Sequence, residues 1–361
     1  MARVPPPIKA HAALSYKEPL SVRLGRYAIY SGTTIAVLAV LYTIAWFATS
    51  MMVRANLQDW FAARTAEGYI ATHDDKQARI SGFPFALTVR LHDVSFALPL
   101  DGARKRNWVW HGSQLELSTV VLPWTIRNLN VDLSARQSLR IDGNAYHGQA
   151  DHFVVTFDWM SKGFPDTVSL NINDLNLRGE GANVTVDQVT LTAQRENSGD
   201  YIYDLNAQRL GLAYGLPGMG KYLGEVIARG RVTHDFATEI LSAQNVAAWR
   251  DRGGTLEVER LLIDYPPLSL QGNGTLALDG DLQIVGAFSA RIQGFFETVE
   301  RLRRARVIRG PDASMAKVVL GMLAKHPGNG GPATISLPLT VQDRALFAGP
   351  VRLIEIPQLK W

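Results

Sequence analysis

Eight residues from Gly215 to Tyr222, GLPGMGKY, come nearest to a motif that carries chemistry. They match GxxxxGK, the loop whose backbone amides cradle phosphates while a lysine reaches the terminal ones. The position after Lys221 should then be Ser or Thr, to hold Mg²⁺, and here it is Tyr222. Nothing downstream reads as an apolar strand ending in a magnesium-binding Asp within an alternating βα pattern. A glycine-rich turn leading into a helix accounts for these residues, and no nucleotide partner is expected. His73, Asp74 and Asp75 offer metal-ligating atoms, but adjacent residues point in different directions and no second histidine stands four residues on. His147 and His152 lie five apart in a Gly/Asp-rich stretch and read the same way, as solvated turns. With no cysteine in the chain, thiol nucleophiles, thiolate metal sites and disulfides are all ruled out. No GxSxG, HExxH or paired-acid signature has surroundings that fit catalysis. The expectation is a non-enzyme with no cofactor and no metal.

One further cluster bears on partners. The run from Arg301 to Arg309, RLRRARVIR, lies on or beside a predicted helix. Arg301, Arg303, Arg304 and Arg306 read either as a solvated helical face or as a surface for anionic lipid headgroups.

What positions these groups begins with a membrane signal. Residues 27–53 are 27 consecutive residues without a charge, YAIYSGTTIAVLAVLYTIAWFATSMMV. As a helix they extend roughly 40 Å, enough for a hydrocarbon core of about 30 Å. Tyr27 and Tyr30 stand at one end and Trp46 and Phe47 towards the other, as interfacial aromatic belts do. A signal peptide needs a shorter apolar region and a small-x-small cleavage site, and neither fits. Five basic residues (Arg3, Lys9, Lys17, Arg23, Arg26) precede the run and Arg54 follows it, against one acid, Glu18. The positive-inside rule then places the N-terminus in the cytoplasm and the rest outside it. Of 37 basic and 33 acidic residues, those beyond Arg54 nearly cancel, so no nucleic-acid partner is expected.

Beyond the span, short alternating runs broken by Gly, Asn and Asp are the pattern of strands. One pattern recurs four times, apolar-x-apolar-x-x-apolar-x-apolar: from Val89, from Leu170, from Val184 and from Leu256. In a flat strand two consecutive polar residues send the second apolar pair to the opposite face. A β-bulge keeps both halves on one face and adds bend; a hairpin tip or strand break is the alternative. The fold expected is mainly β with a few helices (α+β): a strongly curved, largely antiparallel sheet after one N-terminal transmembrane helix. Its parts are a disordered tail over 1–26, the span 27–53 and a β-rich domain over 54–361. Helices are expected near 56–68, 219–228, 295–307 and 313–325. In the last of these, Met315, Val318, Val319, Met322 and Leu323 share a face suited to packing on a sheet.

The motifs also carry a resemblance. WFAAR from Trp60 to Arg64 followed by Gly68, then Gly82-Phe83-Pro84-Phe85 opening a strand, resemble the alphaproteobacterial domain-of-unknown-function family numbered 2125. Trp249, Gly253 to Leu256, Pro267 to Leu270, Gly274 to Asp279 and Leu337 to Leu339 agree with it. More loosely, one anchor followed by Gly-x-Pro and repeated bulged strands is similar to AsmA-like envelope proteins. That similarity implies a β-rich groove outside the bacterial inner membrane, associated with lipid movement and envelope upkeep. The anchor and the repeated slip make Phe83, Phe85, Leu87, Val89, Phe96, Leu170 and Ile172 candidates for an apolar groove, or for a closed core. Membrane lipid is the expected partner, with an envelope scaffold binding other proteins as the alternative.

Overall fold

The computed structural model describes residues 20–66, 69–74, 79–97, 108–120, 128–141, 144–158, 165–234, 242–326, 331–349, 351–359 and 361. The expected tail up to residue 19, Gly68, Asp75 and the helix stop at Pro327-Gly328 lie outside them. The chain divides into two compact units after Asn56.

Helix α1 (Leu20–Ala66) is unbroken, so residues 20–26, expected within a disordered tail, are helical, and the apolar span and the short helix expected at 56–68 belong to the same element. No Gly or Pro stands between Gly32 and Gly68 to interrupt it. From Ile29 onward it is long and apolar enough to cross a membrane. Thr33, Thr34, Thr43 and Thr49 each donate their hydroxyl to the carbonyl four residues back, at 2.8–2.9 Å. Those bonds satisfy polar groups that hydrocarbon would otherwise leave unpaired.

In the second unit every strand pairing is antiparallel. β1 (Ile70–Thr72) and β2 (Arg79–Ser81) pair with the same side of β3 (Ala86–Ala97), whose other neighbour is β4 (Trp108–Val120). Next come β5 (Asn128–Asp132) and β6 (Gln137–Ile141), two halves of one line beside β4. β7 (Asn144–Gln149) and β8 (His152–Asp158) form the following line beside β9 (Thr167–Gly179). From β9 each strand pairs with its successor: β10 (Ala182–Arg195), β11 (Tyr201–Gly211), β12 (Tyr222–Val232), β13 (Leu256–Tyr265), β14 (Leu268–Leu278) and β15 (Ile284–Gln293). β16 (Thr334–Gln342), β17 (Ala345–Ala348) and β18 (Val351–Glu355) complete the meander.

The remaining helices differ in part from expectation. α3 (Phe295–Arg304) and α4 (Gly310–Leu323) form the expected pair. The helix expected over 219–228 is instead strand β12. Its Val226, Ala228 and Val232 lie opposite Ala207, Leu205 and Tyr201 of β11, and that apolar match outweighs local helical spacing. α2 (Ala243–Asp251) was not anticipated. The Ser242 hydroxyl caps it by accepting from Asn245 N–H at 3.3 Å, and Gly253, at φ 84°, closes it. Trp249 anchors α2 by donating its indole N–H to the Thr233 carbonyl at 2.7 Å. The outward face of α4 does not pack on the sheet: Met315, Val318, Val319, Met322 and Leu323 are exposed. The helix instead rests on α3 through its other side, with Ala313 buried and the Lys317 ammonium on Glu300 at 2.8 Å.

The recurring slip has two structural forms. In β3 the strand runs straight through it, with Asp93 in the left-handed region at φ 50°. The register with β4 is the same on both sides; only Asp93 and Ser113 drop out of it. Buried Leu87, Val89 and Leu91 are therefore followed by buried Val94, so the apolar set stays on one side although the sequence parity changes. In β9, Asp174 repeats this at φ 50°, opposite Asp187 of β10, and Arg209 of β11 follows at φ 45°. Between these two places the lines of β5/β6 and β7/β8 are interrupted at residues 133–136 and 150–151. Bonds bridge the gap, from Ser113 N–H to Arg136 O (2.9 Å), Leu133 N–H to Phe153 O (2.7 Å) and Asp151 N–H to Asn173 O (3.2 Å). The three slips thus lie on a single crease crossing the sheet from β3 to β11. The fourth, in β13, is a β-bulge: the register shifts by one residue against both β12 and β14, around Glu259 and Arg260.

Candidate functional site

Because side chains alternate and the registers are continuous, each side of the sheet can be followed from strand to strand. One row begins Ile80, Val89, Leu117, Val131, Val155, Leu170 and Leu191, each directly opposite the next. It continues through Leu205, Ala228, Leu261, Gly272 and Ala290 to Leu337. Thirteen strands contribute, and none places a polar side chain in the row. A parallel row, from Phe153 through Ile172, Val189, Ala207, Val226, Ile263, Leu270 and Ile292 to Ile335, is likewise apolar throughout. On the opposite side a polar row, Ser118, Asn130, Thr156, Ser169, Thr192, Asp204, Arg229 and Arg260, crosses eight of these strands, with the apolar pair Ile227 and Leu262 beside it.

Burial along the apolar side is uneven. Val89, near one end of the first row, and Ala290, near the other, are buried, whereas Leu117, Val131, Val155, Leu170, Leu191, Leu205 and Leu261 are all half-buried. A closed two-layer core would bury them fully. The middle of the sheet therefore keeps an apolar surface partly reachable from outside. At the end of β3 the cover is an aromatic cluster. Phe96 stacks on Trp60 of α1 (ring centroids 6.2 Å apart) and on Tyr69 (5.4 Å), and tilts against Trp108 (5.8 Å).

The seven apolar candidates thus fall into four settings. Phe83 and Phe85 are not strand residues; they sit in the turn before β3, exposed by 51% and 71%. Leu87 and Val89 are only 2% and 3% exposed, so they are core residues and closed to a ligand in this conformation. Phe96 belongs to the aromatic cluster, and Leu170 and buried Ile172 lie on the two apolar rows. Val155, Leu191 and Leu205 were not singled out from the sequence. Their own alternation was the available signal, but only strand register shows that they continue the same row.

The arginines divide as well. Arg301 pairs with Glu297 at 2.8 Å, Arg303 and Arg304 pair with Glu300, and Arg306 forms no ion pair among the described residues. The Arg303 hydrogen bond, supported by Lys317, holds the Glu300 carboxyl far below the ordinary carboxylate range. The GLPGMGKY stretch is a tight turn fastened to β13: the Tyr265 hydroxyl accepts from Leu216 N–H at 2.9 Å and donates to the Gly220 carbonyl at 2.7 Å. Its amides belong to that turn rather than to a strand-to-helix phosphate cradle.

A helix fit to cross a membrane, followed by an antiparallel meander with one continuous apolar side, defines the class of this protein. Residues 46–357 match the family described as "Uncharacterized protein conserved in bacteria (DUF2125)", and the chain belongs to that family. No curated protein and no solved structure matches it.

Proposed function

We propose that this protein is a non-enzymatic component of the bacterial envelope whose apolar sheet face binds or passes lipid-like material. In this reading α1 anchors the chain in the inner membrane with its N-terminus in the cytoplasm, and the sheet occupies the periplasm. The looser similarity to AsmA-like proteins agrees with that placement. One observation carries the reading: the row from Ile80 to Leu337 stays apolar across thirteen strands while its central members stay half-buried. Acyl chains need such a surface, long, apolar and without directional hydrogen-bond donors.

The direct test is photocrosslinking in native membranes with a benzophenone amino acid at position 191, on the apolar side, or at 192, on the polar side. Acyl adducts at 191 and none at 192 are expected; their absence at 191 removes the lipid ligand. A scaffold that binds other envelope proteins is the second reading, favoured by the exposed Phe83 and Phe85. Stable protein adducts at 83 and 85, with no lipid adduct at 191, would select it. A topology reporter fused after residue 60 should report a periplasmic location, and a cytoplasmic signal overturns the orientation.

A further inference from the structure

Helix α4 is apolar on both sides, yet only one side meets protein. Ala313 is buried, Ala316 and Leu320 are half-buried and Lys317 reaches Glu300 of α3, whereas Met315, Val318, Val319 and Met322, at i, i+3, i+4 and i+7, form an exposed stripe on the other side. Met315 is 71% and Met322 74% exposed. A helix that is apolar all round belongs in a protein core or in lipid, and the core side of α4 is already occupied. The stripe also has neighbours of its own kind. Among the described residues outside α1, ten of the sixteen exposed large apolar residues lie on α3, α4, the link between them, or the 214–222 turn. That turn abuts α3, for a Cβ placed on Gly218 would stand 2.7 Å from the Arg301 carbonyl.

Charge and topology specify the occupant. Arg306 and Arg309 stand just before α4 and Lys325 just after it, and Asp312 is the one acid within it. Antiparallel alternation makes β3, β11 and β15 run the same way. The turn after β11 and helix α3 after β15 therefore leave the sheet at the strand ends where Trp60, in the stretch entering this unit, stacks on Phe96 of β3. We infer that α4 is an interfacial helix: its Met315–Met322 stripe enters the headgroup–acyl boundary of an anionic phospholipid bilayer, and Arg306, Arg309 and Lys325 contact the headgroups. A stripe of this kind with cations at both helix ends is what a membrane surface binds. This inference is independent of any ligand on the sheet.

The absence of cysteine makes the test direct. The full chain carrying Met322→Cys, or Ile202→Cys at the opposite strand ends, is labelled with an environment-sensitive fluorophore. Each is reconstituted in nanodiscs of phosphatidylcholine alone or with phosphatidylglycerol, with doxyl-labelled lipid as quencher. Blue-shifted emission and doxyl quenching are expected at 322, stronger with phosphatidylglycerol, and absent at 202. Arg306→Glu combined with Arg309→Glu should lower the ratio of engaged to free helix by about 25-fold, at about fivefold per cation removed. An unquenched probe at 322 in both compositions overturns the inference, including the case where a second copy or another protein shields it. Equal quenching at 322 and 202, or no dependence on phosphatidylglycerol, overturns it too.

Discussion

The first strands and the middle of the sheet use the same alternation and reach different ends. In β3, Leu87, Leu91 and Val94 are 2%, 1% and 4% exposed. In β9 to β11 the equivalent side chains Leu170, Leu191 and Leu205 are half-buried. Nothing in the local pattern separates them; both regions even cross the same crease through a left-handed aspartate. The difference is what lies against them. At the end of β3 an aromatic cluster of Trp60, Tyr69 and Trp108 surrounds Phe96, whereas α3 packs beside β14 and α4 beside β16, away from β9 to β11. Apolar alternation makes a surface, and only a covering layer turns that surface into a core.

Four measurements would break or sharpen this contrast. The largest effect is expected from Leu91→Ala, which should cost about 2–5 kcal/mol because a fully enclosed side chain leaves a cavity. Leu191→Ala should cost about half as much or less, since part of its surface already meets solvent. Equal losses in chemical denaturation of the full chain would erase the contrast. Next, Phe96→Ala should cost about 2 kcal/mol and raise the solvent accessibility of Trp60 and Trp108, seen as a red shift and stronger acrylamide quenching of their fluorescence. Third, Asp174→Val should cost about 1–2 kcal/mol, as a β-branched side chain resists φ 50°, while Asp174→Gly should be neutral or slightly stabilising. If both are neutral, the crease does not depend on that backbone state.

The smallest effect concerns the α3–α4 pair. Glu300→Gln removes the carboxylate shared by Arg303, Arg304 and Lys317, and should speed amide exchange in α4 at neutral pH. The folded pKa of Glu300 is depressed, so its contribution is complete above the unfolded carboxylate pKa and is lost as pH falls through the lower folded value. The gap between native and Glu300→Gln exchange should therefore persist at mildly acidic pH and close only well below the usual carboxylate range. A gap that closes between pH 5 and 4 contradicts the ion-pair account.

Much of this could be read from residue order, and the failures have physical causes. The strands, the α3–α4 pair and the apolar span follow from local periodicity. The sequence of β12 reads as a helix because Met219 to Ala228 carries apolar residues at both two- and four-residue spacings, and neighbouring strands decide between them. α2 escaped notice although Ser242 and Gly253 flank it with cap residues, because nine residues hold only Val246 and Trp249 as buried anchors. The candidate site was legible only in part. Val89, Leu170 and Ile172 do lie on the apolar rows, but of these only Leu170 is half-buried, while Val89 and Ile172, like Leu87, are buried.

Residue order alone determined that a long uncharged helix precedes a β-rich body, and that most strands are apolar on one side and polar on the other. These are properties of spacing, and they hold wherever the strands end up. Tertiary structure alone decided that the slips in β3, β9 and β10 share one crease, while the fourth is a bulge in β13. It also decided which apolar side chains are covered, and that the outward stripe of α4 is not. Those outcomes depend on which strand lies beside which, and on where a second layer falls, and both join residues tens to hundreds of positions apart.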